Sequence, residues 1–442
     1  MTSPHILLSA YYCAPGGGSV SQIGWEWYAR LSREIKVTLV THSRNRKVLE
    51  GAGAPFPGST IVYINTEWFA GPLYKLASFL FKRSEHAIFL LCSIDFFLYD
   101  FVAVRRFLKS GSSFDLVHAV TPVSPLAVTR LHRLRRPLLV GPWNGGVSTL
   151  PGFEEIMRAD AEWLYGVRTV RGLLDRLTGC TQHARLILSA TSATDRCLPP
   201  GVRTKRMVEN GVDLEIFHPG NAAPPSIGQP LQVLFVGRLI PAKGVSMLLS
   251  AVARIRDTVP LKILIAGDGS FRQTLEDQAR QQSLGGIVTF LGAQRQAQVV
   301  ALMRESHALC LPSVRESGGA VLLEGMACGI PVLTVAHGGP GELADEEVGR
   351  ALAPDDPEAL IQGLADTFTE MYSCHSDWKQ RGLNGRLRAE RQYGWPARIQ
   401  QAISLYQSVL EEEQYGFPES GFPKGGHTHG ECEALTSAQH RD

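Results

Sequence analysis

"LQVLFVGRLIPAKGVSMLLSAVARIRDTVPLKILIAG", residues 231–267, is the stretch whose reading decides the fold. It opens on an unbroken apolar run of strand length and passes through a turn carrying Gly, Pro and Lys. It then takes up helical spacing and closes on a second apolar run. A strand with one wet face alternates apolar and polar residues, whereas a strand covered on both faces reads as a continuous apolar run. Two such runs joined by an amphipathic helix make a parallel β-α-β unit.

The same rhythm extends in both directions. "HILLSA", "KVTLVT", "FDLVHAV" and "PLLVG" precede the stretch, and "VTFLG", "ALCLPS" and "PVLTVA" follow it. Together they predict doubly wound α/β domains. The rhythm lapses at "HPGNAAPPSIGQP", residues 218–230, which is rich in Pro, Gly and Ala and reads as a linker. A Rossmann-like domain is expected over 1–217 and a second over 231–395. The last strong helix, within 396–413, carries Ile399, Ile403, Leu405, Tyr406, Val409 and Leu410 at helical spacing. Residues 416–442 lose the apolar pattern and are read as a disordered tail. Its His427, His429 and Cys432 are not read as a built metal site.

Bulk properties narrow the function. A chain of 442 residues suits two or three domains. Forty-four basic against 42 acidic residues leave a net charge of +2, which argues against a protein that grips nucleic acid through a basic face. The eight cysteines include no C-x-x-C pair and fit reduced thiols in a cytoplasmic protein. The N-terminal segment lacks a basic region before its apolar run and reads as a strand. The most apolar region, about 70–108, is broken by Asp95 and Asp100, so its uncharged stretches are too short to span a bilayer. It reads as buried amphipathic helices, or as a surface leaning on a membrane with Lys82, Arg83, Arg105, Arg106 and Lys109 toward head groups.

In open α/β sheets ligands bind beyond the carboxyl ends of the strands, so the residues just past each apolar run matter most. Gly16, Gly17 and Gly18 follow the first run and leave backbone N–H groups open to an anion. Arg238 and Lys243 follow "LQVLFVG" and suit a diphosphate, the first by bidentate contact and the second as a point charge. "RESGGAVLLEGMACGIP", residues 315–331, holds Glu316 and Glu324 around Gly318 and Gly319, with a helix starting near Gly319. Such a helix start attracts phosphate. Taken singly, these charges could be surface residues and the glycines plain turns; it is their order past successive strand ends that points to a site. No H-E-x-x-H, Walker A, G-x-S-x-G or D-x-D occurs, so metal or serine chemistry has no foothold.

These residues resemble the large family 4 ("group 1") of retaining glycosyltransferases with the GT-B fold. The likeness runs through "SAYYCAPGGGS", "ENGVDLEIFHP" (209–219), "VGRLIPAKG" and "VTFLGAQRQAQVVALMRESHALCLPSVRESGGAVLLEGMACGIPVL", the last with an E-x7-E motif. It implies two Rossmann-like domains facing each other across a cleft, and a last helix that crosses back to the first domain. It implies transfer of a sugar from a nucleotide-sugar donor to a glycan or lipid-linked acceptor with retention of configuration, in polysaccharide or glycolipid synthesis. No cofactor or metal is implied. In that picture Arg238 and Lys243 neutralise the leaving diphosphate, Glu316 lies beside the transferred sugar and Glu324 contacts the ribose. Gly318 and Gly319 present backbone to the sugar, and Gly16 to Gly18 close over the diphosphate. Many relatives carry an aromatic residue where Gly318 stands, which implies a roomier sugar pocket here. His118 is either an acceptor-side group or a core histidine, and Val120 occupies the more usual histidine position. "GPWNGG" (141–146) resembles a cleft loop, which would turn Trp143 and Asn144 toward donor or acceptor. The sugar, the base, the acceptor and the oligomeric state stay open.

Overall fold

The computed structural model describes residues 3–16, 19–80, 94–111, 113–158, 168–220 and 229–415. Gly17, Gly18, most of the 218–230 linker, the 416–442 tail, and Lys82 and Arg83 lie outside the described residues.

Two parallel sheets organise the chain. The first holds β1 (His5–Ala10), β2 (Lys36–His42), β3 (Thr60–Ile64), β4 (Leu116–Thr121), β5 (Leu138–Trp143), β6 (Leu186–Ser189) and β7 (Thr204–Arg206). Its strand order is 3-2-1-4-5-6-7. The second holds β8 (Leu231–Val236), β9 (Leu261–Ala266), β10 (Val288–Gly292), β11 (Ala308–Leu311), β12 (Val332–Val335) and β13 (Gly349–Leu352), in the order 10-9-8-11-12-13. Both are doubly wound, and the order reverses between β1 and β4 and between β8 and β11. Those two switch points open the crevices in which such folds bind ligands.

Burial explains the apolar runs. In β1, Ile6, Leu8 and Ala10 enter one core cluster while Leu7 enters another, so alternate residues are buried on opposite faces. The second sheet has one continuous core that includes Val233, Phe235, Ile263, Ile265, Leu309 and Leu333. β3, β6, β7 and β13 are absent from the expected runs, because they are short or lie toward the edges of their sheets and carry polar residues such as Lys205 and Arg350.

The helix Trp395–Tyr415 belongs to the first sheet's packing although it follows the second. Ile399, Ala402, Tyr406 and Val409 lie buried in the first domain's core. The two chain crossings run side by side: the Val212 N–H donates to Tyr393 O at 2.8 Å and the Trp395 N–H donates to Val212 O at 3.1 Å.

The 70–108 region divides. The helix Asp95–Ser110 buries Phe96, Tyr99, Val104 and Phe107, and Arg105, Arg106 and Lys109 stay exposed. Asp95 is buried and accepts from the Tyr11 hydroxyl at 2.6 Å and from Arg44 at 3.0 Å. The helix Glu67–Leu80 instead exposes Trp68, Tyr74, Leu76 and Phe79. Among the described residues no helix is long and apolar enough to cross a membrane.

Candidate active site

The expected site residues of the second domain follow β8 and β11, the strands on either side of its switch point. After β8 the chain turns through Gly237 and Arg238 into a short 3-10 turn, Pro241–Lys243. Gly244 follows at φ 71°, and any side chain there would overlap the Pro312 carbonyl oxygen, so the turn lies flat against the exit of β11. The Val314 N–H fastens it by donating to Ala242 O at 3.0 Å. These contacts bring two of the expected residues together: Lys243 Nζ forms an ion pair with Glu316 Oε2. Their side chains keep 15% and 20% exposure, so neither charge is sealed in the core.

Beyond Glu316, Gly319 adopts φ 73° and opens the helix Ala320–Ala327. The Gly318 N–H approaches Glu316 Oε1 at 3.5 Å. Glu324, one turn into the helix, has no side-chain partner among the described residues, and burial pushes its carboxyl up to about 7. Arg238 is exposed and forms no ion pair with Glu316. Gly16 is exposed at φ 70°, and its N–H donates to Gln22 Oε1 at 2.7 Å.

Three readings are decided by the structure. His118 is the core histidine of its two readings and not an acceptor-side group. It is fully buried: its Nε2–H donates to Gly141 O at 2.8 Å and its Nδ1 accepts from the Tyr406 hydroxyl at 2.6 Å. Burial lowers it to about 4, so it stays neutral and pins the crossing helix to β4. Trp143 is likewise only 1% exposed, within the first domain's core. The successive residue Asn144 does reach the cleft. Its Nδ2 donates to Glu209 Oε1 at 2.7 Å. The third concerns the glycine at 318, where a roomier pocket was expected. A Cβ there would fall 2.2 Å from Glu209 Oε1 and 3.2 Å from Asn144 Nδ2, so the space of a side chain is already taken from across the cleft.

Glu209 was not singled out in the sequence. It stands three residues past β7 and is 4% exposed. Burial raises its pKa, Glu316 adds to the rise, and the Asn144 bond and Arg398 oppose it. Arg398, on the crossing helix, is also 4% exposed; burial lowers it to about 10 against the pull of Tyr393 and Glu209. Glu209 opens the "ENGVDLEIFHP" stretch, but the strand before it, "TKR", has no apolar run to mark its end. Nothing local marks Arg398.

With this geometry in place the fold can be classed. The chain has the GT-B architecture of sucrose-phosphate synthase from Thermosynechococcus elongatus (TM-score 0.61, 20% identity, covering 92% of this chain and 99% of that one). Anabaena HepE, solved in complex with UDP, is alike at TM-score 0.62 and 18% identity over 92% of this chain and all of that one. Residues 222–383 match the family described as "Glycosyl transferases group 1". Sequence relatives include a glycogen synthase of Mycobacterium tuberculosis, 30% identical over 50% of this chain and 52% of the relative. Another is a D-inositol 3-phosphate glycosyltransferase of Mycolicibacterium smegmatis, 31% identical over 50% of this chain and 51% of the relative. The chain spans about half the length of the curated relatives it matches.

Proposed function

We propose that the protein is a retaining glycosyltransferase that moves a sugar from a nucleoside-diphospho-sugar to a hydroxyl of a glycan or lipid-linked acceptor without a metal. The observation that carries this reading is the Lys243–Glu316 pair at the second sheet's switch point, beside the start of a helix. A diphosphate entering there competes with Glu316 for Lys243, while the N–H groups at the helix start and the exposed Arg238 supply further positive charge. The departing diphosphate gains charge in the transition state, and preorganised donors act most strongly on charge that develops there. Glu316, released from Lys243, places its carboxylate near the anomeric carbon, where an oxocarbenium-like cation needs it. Glu324 accepts the donor's ribose hydroxyls. Residues on both domains exclude water that would hydrolyse the donor.

The bound UDP of the HepE structure supports a nucleotide donor. The exposed Trp68, Tyr74, Leu76 and Phe79 support a peripheral contact with the inner face of a membrane carrying a lipid-linked acceptor. The test is incubation of the full chain with radiolabelled UDP- and GDP-sugars and a membrane lipid extract, followed by NMR of the product's anomeric coupling. A new glycoside with the donor's configuration is expected. An isomerised donor would mean an epimerase, and donor returned unchanged a binding protein; either outcome refutes the proposal.

A further inference from the structure

A cleft of about 370 Å³ lies between the two domains and the crossing helix. Ser317 and Gly318 form one wall, yet neither Lys243, Glu316 nor Glu324 lines it. Thr191, Glu209, Tyr393, Arg398 and Gln401 form others. Its size is within the roughly 300–1,000 Å³ of small-ligand clefts.

Two of its walls carry buried charge with unmet hydrogen-bonding capacity. Among the described residues Arg398 Nε and Nη2 have no hydrogen-bond partner and Nη1 reaches only Gln401 Oε1 at 3.5 Å, although the guanidinium lies over the Tyr393 ring at 5.5 Å. Glu209 Oε1 accepts from Asn144 and from Asn210 at 3.1 Å, but Oε2 has no partner. The two residues are not in ion-pair contact, though each favours the other's charge at longer range, and each is 4% exposed. Buried charged groups left unpaired are costly, and natural proteins keep them where something else completes their bonds.

The chemistry of the set selects the ligand. Arg398 offers only donors and Glu209 Oε2, when ionised, only an acceptor. An anion would satisfy Arg398 but meet the charges of Glu209 and, beyond it, Glu316. A cation would satisfy Glu209 and meet Arg398. A hydroxyl both donates and accepts, so neighbouring hydroxyls on one ring can serve both residues. The amide of Gln401 and the hydroxyls of Thr191 and Ser317 extend the same kind of contact.

We propose that this cleft is a saccharide subsite that holds one glycosyl unit of the acceptor through Arg398 and Glu209, next to the loop that carries Glu316. The assignment of that unit to the acceptor rests on the glycosyltransferase reading; the affinity for a sugar ring does not. The experiment is saturation-transfer NMR on the full chain with a mixture of the methyl glycosides of glucose, galactose, mannose and N-acetylglucosamine. Excess UDP is present to occupy the nucleotide site, and UDP affinity is titrated on the same samples. Transfer to at least one glycoside is expected. Glu209→Gln and Arg398→Met should each weaken it by about 10- to 100-fold, the worth of a hydrogen bond to a charged group, with UDP affinity within about twofold of wild type. Should either variant fail to fold, Gln401→Leu, half-buried on the crossing helix, must weaken the signal instead. No transfer in the wild type, transfer insensitive to these substitutions, or displacement of the glycosides by inorganic phosphate would each overturn the subsite. Failure of UDP to bind would overturn the donor reading alone, since the glycoside signal stands independently of it.

Discussion

Replacing Gly318 with alanine adds a single methyl group, and the structure states where it must go. The new Cβ falls 2.2 Å from Glu209 Oε1 and 3.2 Å from Asn144 Nδ2, so about 1 Å of relief is needed on the carboxylate side. Glu209 cannot retreat without breaking its 2.7 Å bond from Asn144, and it already holds one oxygen without a partner. Losing that charge-assisted bond costs about 1.5–3 kcal/mol. If the 316–319 loop retreats instead, Glu316 moves off its pairing with Lys243, and a misplacement of about 1 Å at a reacting centre costs on the order of 10² in rate. Thermal unfolding and donor turnover, measured together, separate the two routes. Glu209→Ala in the same chain removes the obstacle, so a double-mutant cycle should show coupling of about 1 kcal/mol or more. A Gly318→Ala protein with wild-type stability and turnover, or an additive cycle, would refute the claim that Glu209 occupies the side-chain space at 318.

Turnover should persist in excess EDTA, because Lys243, Arg238 and a helix start carry the diphosphate's charge in this account; loss of activity restored by Mg²⁺ or Mn²⁺ would contradict it. Glu324, with a folded pKa of about 7 set by burial, is mostly protonated at pH 6 and mostly ionised at pH 8. If the ionised form accepts the ribose hydroxyls, affinity for an intact nucleotide-sugar rises by about tenfold across that interval, and Glu324→Gln flattens the profile. The same raised pKa means the folded chain binds this proton more tightly than the unfolded one. Its contribution to stability is therefore full below about pH 4.5 and is lost as pH rises through about 7, a slope in melting temperature that Glu324→Gln should reduce. Tyr406→Phe leaves His118 Nδ1 buried without its 2.6 Å donor and should cost about 1–3 kcal/mol of stability while turnover per folded molecule is unchanged; a selective loss of turnover would return His118 to the cleft.

The fold class was legible because strands of a parallel sheet are covered on both faces, and "LQVLFVG" or "HILLSA" can hardly be read otherwise. Strand order was not, since it depends on which edges meet, and "TKR" at β7 has no apolar signal at all. Lys243 and Glu316 stood out because each follows a strand end, and the contact of the Gly244 turn with Pro312 brings them together. The "GPWNGG" loop shows the limit of that rule. Successive side chains at a strand end point opposite ways, so Trp143 enters the core and Asn144 the cleft, and sequence does not say which is which. Glu209 and Arg398 matter through what approaches them from elements far away in the chain, and no local pattern encodes that.

The central claim is that Lys243 holds the diphosphate and Glu316 serves the reacting sugar, though the two are paired with each other. Titrating UDP and GDP into the wild type, Lys243→Ala and Glu316→Gln, with turnover recorded for each, tests it most directly. The account predicts a crossed result. Lys243→Ala should weaken diphosphate binding and lower kcat by about 10²–10³, whereas Glu316→Gln should bind the diphosphate at least as tightly, having lost its competitor for Lys243, yet lose kcat by a similar factor. If both variants fold, bind and turn over like the wild type, the pair is a surface salt bridge and the site lies elsewhere.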